Sequence, residues 1–200
     1  MSQLRAVRVD VVRRGGPEVL QVVEGPVPEP GPGEVRVRMM AAGVSAYDRM
    51  ERSHWFPGFP RPPYTPGLDM VGVVDALGAG VTEPAVGSIV AGGPYPQGGC
   101  YASHQCRPAE GIVRVPDGVD SAEAVCLVTN YLTARHVLHD TAHVRRGERI
   151  LVPDGSDPCQ ATAVLRAGPE QKVTRQPLPL PAGRRRRVNG PGTFCPGLAS

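Results

Sequence analysis

Apolar positions in this chain come in short runs, not long stripes. Val35, Val37 and Met39 alternate with Arg36 and Arg38, which predicts a strand with one wet face. The run 71–77, Val-Gly-Val-Val-Asp-Ala-Leu, is almost continuously apolar and predicts a buried strand. Residues 4–12 alternate only loosely, yet their β-branched content favours a strand, and 19–23, 88–90 and 112–115 read the same way. Punctuation between them is strong: Gly15-Gly16-Pro17, the rigid connector Pro26 to Gly33, a Pro- and Gly-rich loop over 54–67, then Gly78, Gly80 and Gly87. Only 45–53 has helical potential in this half, with Ser45 able to cap and Asp48 in the first turn. Up to residue 116 the pattern predicts an all-β barrel or sandwich.

The pattern then changes. Ser121 offers a capping residue ahead of Ala122, Glu123, Ala124 and Val125, and apolar Leu132, Val137 and Leu138 follow, which predicts one or two helices between 121 and 140. A polar turn, Arg145 to Glu148, leads into a strand over 149–152, the way an α/β domain begins. Residues 161–167 have the composition of a short helix. From Gly168 onward Pro, Gly, Arg and Gln dominate, with too few apolar side chains to offset the cost of ordering, so 168–200 is expected to be disordered.

Composition sharpens this picture. Among 200 residues there are 25 glycines and 23 prolines, which suits many turns and short strands. Aromatics are 4%, so aliphatic residues must build the core. The net charge of +3 comes partly from Arg184 to Arg187, read as a solvated cluster, and no basic stripe with interleaved aromatics speaks for nucleic acid. Cys100, Cys106, Cys126, Cys159 and Cys195 form no Cys-x-x-Cys pair, which suggests reduced thiols in a cytoplasm. No segment approaches the roughly 20 apolar residues that span a bilayer, and no secretory leader is read at the N-terminus.

Six stretches in order carry a resemblance: 15–20 (Gly-Gly-Pro-Glu-Val-Leu), 30–35 (Pro-Gly-Pro-Gly-Glu-Val), 42–48 (Ala-Gly-Val-Ser-Ala-Tyr-Asp), 66–74 (Pro-Gly-Leu-Asp-Met-Val-Gly-Val-Val), 87–90 (Gly-Ser-Ile-Val) and 130–134 (Asn-Tyr-Leu-Thr-Ala). Together they resemble the medium-chain dehydrogenase/reductase superfamily, in its zinc-free quinone oxidoreductase (zeta-crystallin-like) branch. The resemblance implies a fold that is mainly β with some α: a GroES-like, partly open β-barrel, then the first helices and strand of an incomplete Rossmann domain, then a disordered tail. The expected divisions are 1–118 for the GroES-like catalytic domain, 119–167 for the start of the Rossmann NAD(P)-binding domain and 168–200 for the tail. It also implies NADPH-dependent hydride transfer to a small-molecule quinone or enone, and a possible homodimer.

Candidate site residues follow from that alignment of motifs. Ser45 stands where the quinone oxidoreductase pattern has an Asn that can donate and accept beside the nicotinamide; a Ser hydroxyl keeps both capacities at shorter reach. Zinc-dependent relatives place a Cys at that position and a His-Glu where this chain has Leu68-Asp69, so no zinc is expected. Asp48 either orients the loop or stabilises the first helical turn. Tyr47 is a possible proton donor or a packing residue. Asn130 and Thr133 are the expected cofactor contacts, with self-bonding to its own helix the alternative for Thr133. Two metal readings are weak: Cys100, His104 and Cys106 by proximity, and His136, His139 and His143 along one helix face.

One requirement is unmet. A dinucleotide needs a glycine turn and a helix N-terminus at its pyrophosphate. After Val152 the chain offers Pro153, which lacks an N–H, then Asp154, Gly155, Ser156, Asp157 and Pro158, with no Gly-x-Gly-x-x-Gly. Impaired cofactor binding is therefore expected, as from a truncated or frame-shifted reading. The barrel is expected to keep an exposed edge, and the helices over 121–140 to lack a sheet to cover. The rival readings are a non-catalytic GroES-like interaction module and an alcohol dehydrogenase relative that has lost its zinc.

Overall fold

The computed structural model describes residues 5–53, 58–93, 98–145, 150–152 and 173–175. It divides into two compact units, Met1–Thr129 and Asn130–Ser200. The first is mostly β. Strand β1 (Arg5–Val11) pairs antiparallel with β2 (Leu20–Pro26) after a single 3-10 turn at Pro17–Val19. The main sheet is built from β3 (Glu34–Ala42), β4 (Met70–Leu77), β5 (Ile89–Gly92), β6 (His104–Pro108) and β7 (Ile112–Arg114), in the order β6-β3-β4-β5-β7 with every described pair antiparallel.

The sheet curls into a partly open barrel, as the repeated short strands predict. The Val9 N–H donates to Tyr101 O (2.8 Å) and the Ser103 N–H to Val7 O (2.7 Å), so β1 lies against the segment that runs into β6. Two register shifts in the β3–β4 ladder, at Arg36/Val37 and Met39/Ala41, add local twist. Alternation fills the interior: Val35 and Val37 from β3, Met70 and Val74 from β4, Val90 from β5 and Cys100 form one buried cluster. Arg36 points the other way and binds Asp75 (2.7 Å). Strand β6 was not legible in the sequence, because His-Gln-Cys-Arg-Pro has no apolar period; its pairing with β3 makes it a strand.

Helix α1 (Ala46–Ser53) follows β3 directly. Helix α2 (Ser121–Cys126) corrects two expectations. Its N-cap is Asp120, not Ser121: the Asp120 carboxylate accepts from the Ala122 N–H (2.8 Å) and the Glu123 N–H (3.3 Å). It also has a sheet to cover, since Ala124 and Val125 pack with Val71 and Val115. The outward face of the barrel's own β4 supplies that apolar surface, so α2 does not depend on a following domain for it.

The division between units falls within a π-helical segment, Leu127–Tyr131. In the second unit, α3 (Leu132–Arg135) is followed by a π-helical segment at His136–Thr141. Strand β8 (Ile150–Val152) lies near the expected place and pairs in parallel with β9 (Val173–Arg175). Parallel pairing of this kind is typical of α/β sheets. Strand β9 falls inside the stretch expected to be disordered, where a Val-Thr pair gives enough β preference for three residues. The expected helix at 161–167, the phosphate-loop positions 153–158, Cys159, Cys195 and the arginine run 184–187 lie outside the described residues.

Candidate active site

The chemistry-bearing side chains of the first unit gather where β3 hands over to α1. Ser45 precedes the helix and Asp48 is its third residue. The Asp48 carboxylate reaches back, with Oδ2 accepting from the Ser45 N–H (2.6 Å) and from the Ser45 hydroxyl (3.0 Å). The acid at the third position thus closes half of a capping box. Ser45 sits at the cap as expected, but its hydroxyl donates to Asp48. The structure brings Ser45 and Asp48 together in a helix-capping contact.

Two more carboxyls share this region. Asp48, Glu51 and Asp69 are 8%, 6% and 5% exposed. Asp69 sits just before β4 and accepts from the Thr129 hydroxyl. Its place is tight: a Cβ on Gly43 would lie 2.8 Å from Asp69 Oδ2, and the Gly43 N–H donates to Asp69 O (3.3 Å). Gly67 has φ +100°, which glycine alone adopts freely, and a Cβ there would sit 2.6 Å from the Tyr101 ring. Burial raises the Asp69 carboxyl, the Thr129 hydrogen bond lowers it, and nearby Asp48 raises it again. Glu51 is pushed up to about 7, first by burial and then by the charge of Asp48. Buried Asp48 Oδ1, Glu51 Oε2, Tyr64 Oη and Tyr101 Oη have no hydrogen-bond partner among the described residues. Both phenols are pushed well above the usual tyrosine range by burial, with Asp48 contributing, and stay neutral. Burial likewise pushes the Cys100 thiol up to about 12, so it is no nucleophile at neutral pH.

The remaining candidates are placed differently. The Tyr47 ring packs edge to face on Phe59, with centroids 5.2 Å apart. Asn130 and Thr133 belong to the second unit, where Asn130 is half-buried and Thr133 exposed. Sequence reasoning passed over Glu51, Tyr64, Tyr101 and Thr129. Glu51 had a readable signal, its i+3 spacing from Asp48. The tyrosines had none, because long-range pairing delivers them, as Tyr64 with Val11.

Neither metal reading gains support. Cys100 lies in the barrel core, whereas His104 is on β6 with its ring 3.0 Å from Ser103 Oγ and 3.7 Å from Asp75. His136 pairs with Asp140 (2.5 Å) and His143 with the carbonyl of His139 (3.0 Å). Among the described residues no three His, Cys, Asp or Glu side chains are grouped to hold a metal, and no helix is long and apolar enough to cross a membrane.

Comparison with known proteins agrees with this architecture. The alcohol dehydrogenase GroES-like domain matches residues 31–195. Quinone oxidoreductase from Pseudomonas aeruginosa is 38% identical over 146 residues, covering 73% of this chain and 44% of that protein. 2-Haloacrylate reductase from a Burkholderia species is 33% identical over 148 residues, covering 70% and 43%. A mycobacterial protein solved in complex with NADPH superposes with a TM-score of 0.71 at 32% identity, covering 80% of this chain and 49% of that one. The chain therefore spans under half the length of these curated relatives. With the curled barrel and the six ordered motifs, these matches establish that the chain belongs to the GroES-like family of medium-chain dehydrogenase/reductases, in its quinone oxidoreductase branch.

Proposed function

We propose that this chain carries the catalytic barrel of an NADPH-dependent, zinc-independent reductase of quinones or enones, working in the cytoplasm, with nucleotide affinity weakened by the sequence after β8. The observation that carries this reading is the Ser45–Asp48 pair at the head of α1. Reduction of a conjugated carbonyl leaves negative charge on oxygen, and the Ser45 hydroxyl can meet it when its proton turns from Asp48 to the substrate. NADPH, when bound, supplies the hydride. Thr129 donates its proton to Asp69, which leaves its oxygen lone pairs free to accept from a carboxamide N–H. Ser45 and Thr129 thus fit the nicotinamide end of the cofactor. Asn130 and Thr133 are proposed as further contacts and Tyr47 as an alternative donor. The names of the relatives support this reading, one being a quinone oxidoreductase and another a 2-haloacrylate reductase.

The phosphate end fits less well: Pro153 donates no N–H, and Asp154 and Asp157 repel a pyrophosphate. That favours, as a second reading, a non-catalytic GroES-like module. Fluorescence titration with NADPH and an NADPH-oxidation assay with a quinone and an enone separate the two. The reductase reading expects saturable but weak binding, turnover, and a loss of roughly 10²-fold in Ser45→Ala. Absence of both binding and turnover would leave the module.

A further inference from the structure

We infer that Gln105 and Arg107 on β6 are positioning residues for the site: through the carbonyls of Gly98 and Gly99 they fix the segment 66–69, which presents Asp69 to Thr129. The consequence for cofactor binding rests on the reductase reading above. Val35 and Val37 are 0% exposed, and their partners directly across the β3–β6 ladder are Arg107 and Gln105. Residues opposite one another in an antiparallel pair share a face, so both polar side chains look into the barrel. Arg107 is 8% exposed, and an arginine is almost never buried this far without a partner. Its partner is a carbonyl: Arg107 Nη2 donates to Gly98 O (2.5 Å), and beside it Gln105 Nε2 donates to Gly99 O. The fit is close, since a Cβ on Gly99 would lie 2.8 Å from Gln105 Nε2 and 3.0 Å from Arg107 Nη2.

Hydrogen bonds run on from there to Asp69. The two residues after Gly99 hold the chain ahead of β4: the Cys100 N–H donates to Gly67 O (3.2 Å) and the Tyr101 N–H to Pro66 O (3.0 Å). From the other side the Thr65 hydroxyl donates to Asp10 Oδ1 (2.6 Å) and the Tyr64 N–H to Val11 O (3.3 Å). Strand β1 thus holds 64–65, and the turn at 98–101 holds 66–67. Asp69 comes two residues after Gly67; its carbonyl accepts from the Gly43 N–H (3.3 Å) and its carboxylate from the Thr129 hydroxyl. Removing the donors on β6 leaves the Gly98 and Gly99 carbonyls without these bonds, and the turn then has other arrangements open to it. Gln105 and Arg107 act through Asp69 and Thr129, so they set where the site's groups lie and take no part in the chemistry.

Arg107→Met and Gln105→Leu remove the donors and put apolar groups of similar size in the interior, so the barrel should stay folded by circular dichroism. Hydrogen exchange followed by NMR on the full chain is expected to run roughly 10-fold faster at the Cys100, Tyr101 and Gly43 amides in each variant. It should be unchanged at Val74 and Val115, whose amides bond to Ser88 O and Ile89 O toward the other end of the sheet. Unchanged exchange at the first three amides would overturn the inference. Equal acceleration everywhere would overturn it too, because the loss is then one of global stability. NADPH titration tests the route to the site. Arg107→Met should weaken binding by roughly 5-fold in the native background and by nothing further in Thr129→Val. An unchanged affinity, or a loss that adds to that of Thr129→Val, would overturn the route through Asp69. Should Arg107→Met fail to fold, Gln105→Leu carries both measurements. If the native chain binds no NADPH, the reductase reading falls, and the exchange rates alone decide whether β6 fixes the segment.

Discussion

Replacing Glu51 with Gln should change how stability depends on pH. In the folded chain burial and the charge of Asp48 push the Glu51 carboxyl up to about 7, against an ordinary value of 4.5. The folded state thus binds this proton more tightly than the unfolded one. The stabilisation is fully present below pH 4.5 and is lost as pH rises through about 7. At 1.36 kcal/mol per pH unit the rise corresponds to about 3 kcal/mol. α1 lies at the surface with Ala46 and Arg49 exposed, and water reaching the carboxylate reduces this to about 2 kcal/mol. Urea unfolding of the native chain and of Glu51→Gln at about pH 5 and about pH 8 reads the difference directly, because every other titration is common to both chains. With a urea slope of about 1–3 kcal/mol per molar, the native midpoint should fall by roughly 1 M more than the variant's. Parallel pH dependence in the two chains would refute the assignment of a shifted, buried carboxyl to Glu51.

Further outcomes follow from the same structure. Met70→Ala empties a position 1% exposed in the barrel interior and should cost about 2–5 kcal/mol in urea unfolding, with no change at the hydroxyl end of the site. Gly67→Ala forces a side chain into φ +100° against the Tyr101 ring and should lower the thermal midpoint by more than a strain-free change of about 1 kcal/mol. Thr129→Val removes the donor to Asp69; isothermal titration should show weaker NADPH binding by roughly 10-fold.

The barrel was legible because its strands are short, β-branched and separated by turn residues. Val35, Val37, Val71 and Val74 announced their faces by alternation or by a continuous apolar run, and they are buried. Strand β6 was not, since His104 to Pro108 become a strand only through the ladder with β3. The site divides the same way. Ser45 and Asp48 are three apart in sequence, so a local capping rule brings them together. Asp69, Tyr64, Tyr101 and Thr129 arrive from distant parts of the chain, and no local pattern announces a contact made by folding. Glu51 lies between these cases: its spacing from Asp48 is visible in the sequence, but its burial, at 6% exposure, is not.

Among the described strands, β2 ends one sheet and β7 ends the other, each with one side unpaired in its ladder. Val22 and Val113 on these two strands are 72% and 71% exposed. Concentrated solutions of the chain therefore set intermolecular zippering in competition with the monomer. Only three residues of β7 can template a neighbour, and Pro26 offers no N–H at the end of β2. A rung this short is a poor start for a fibre, so these two edges act as a brake on self-assembly.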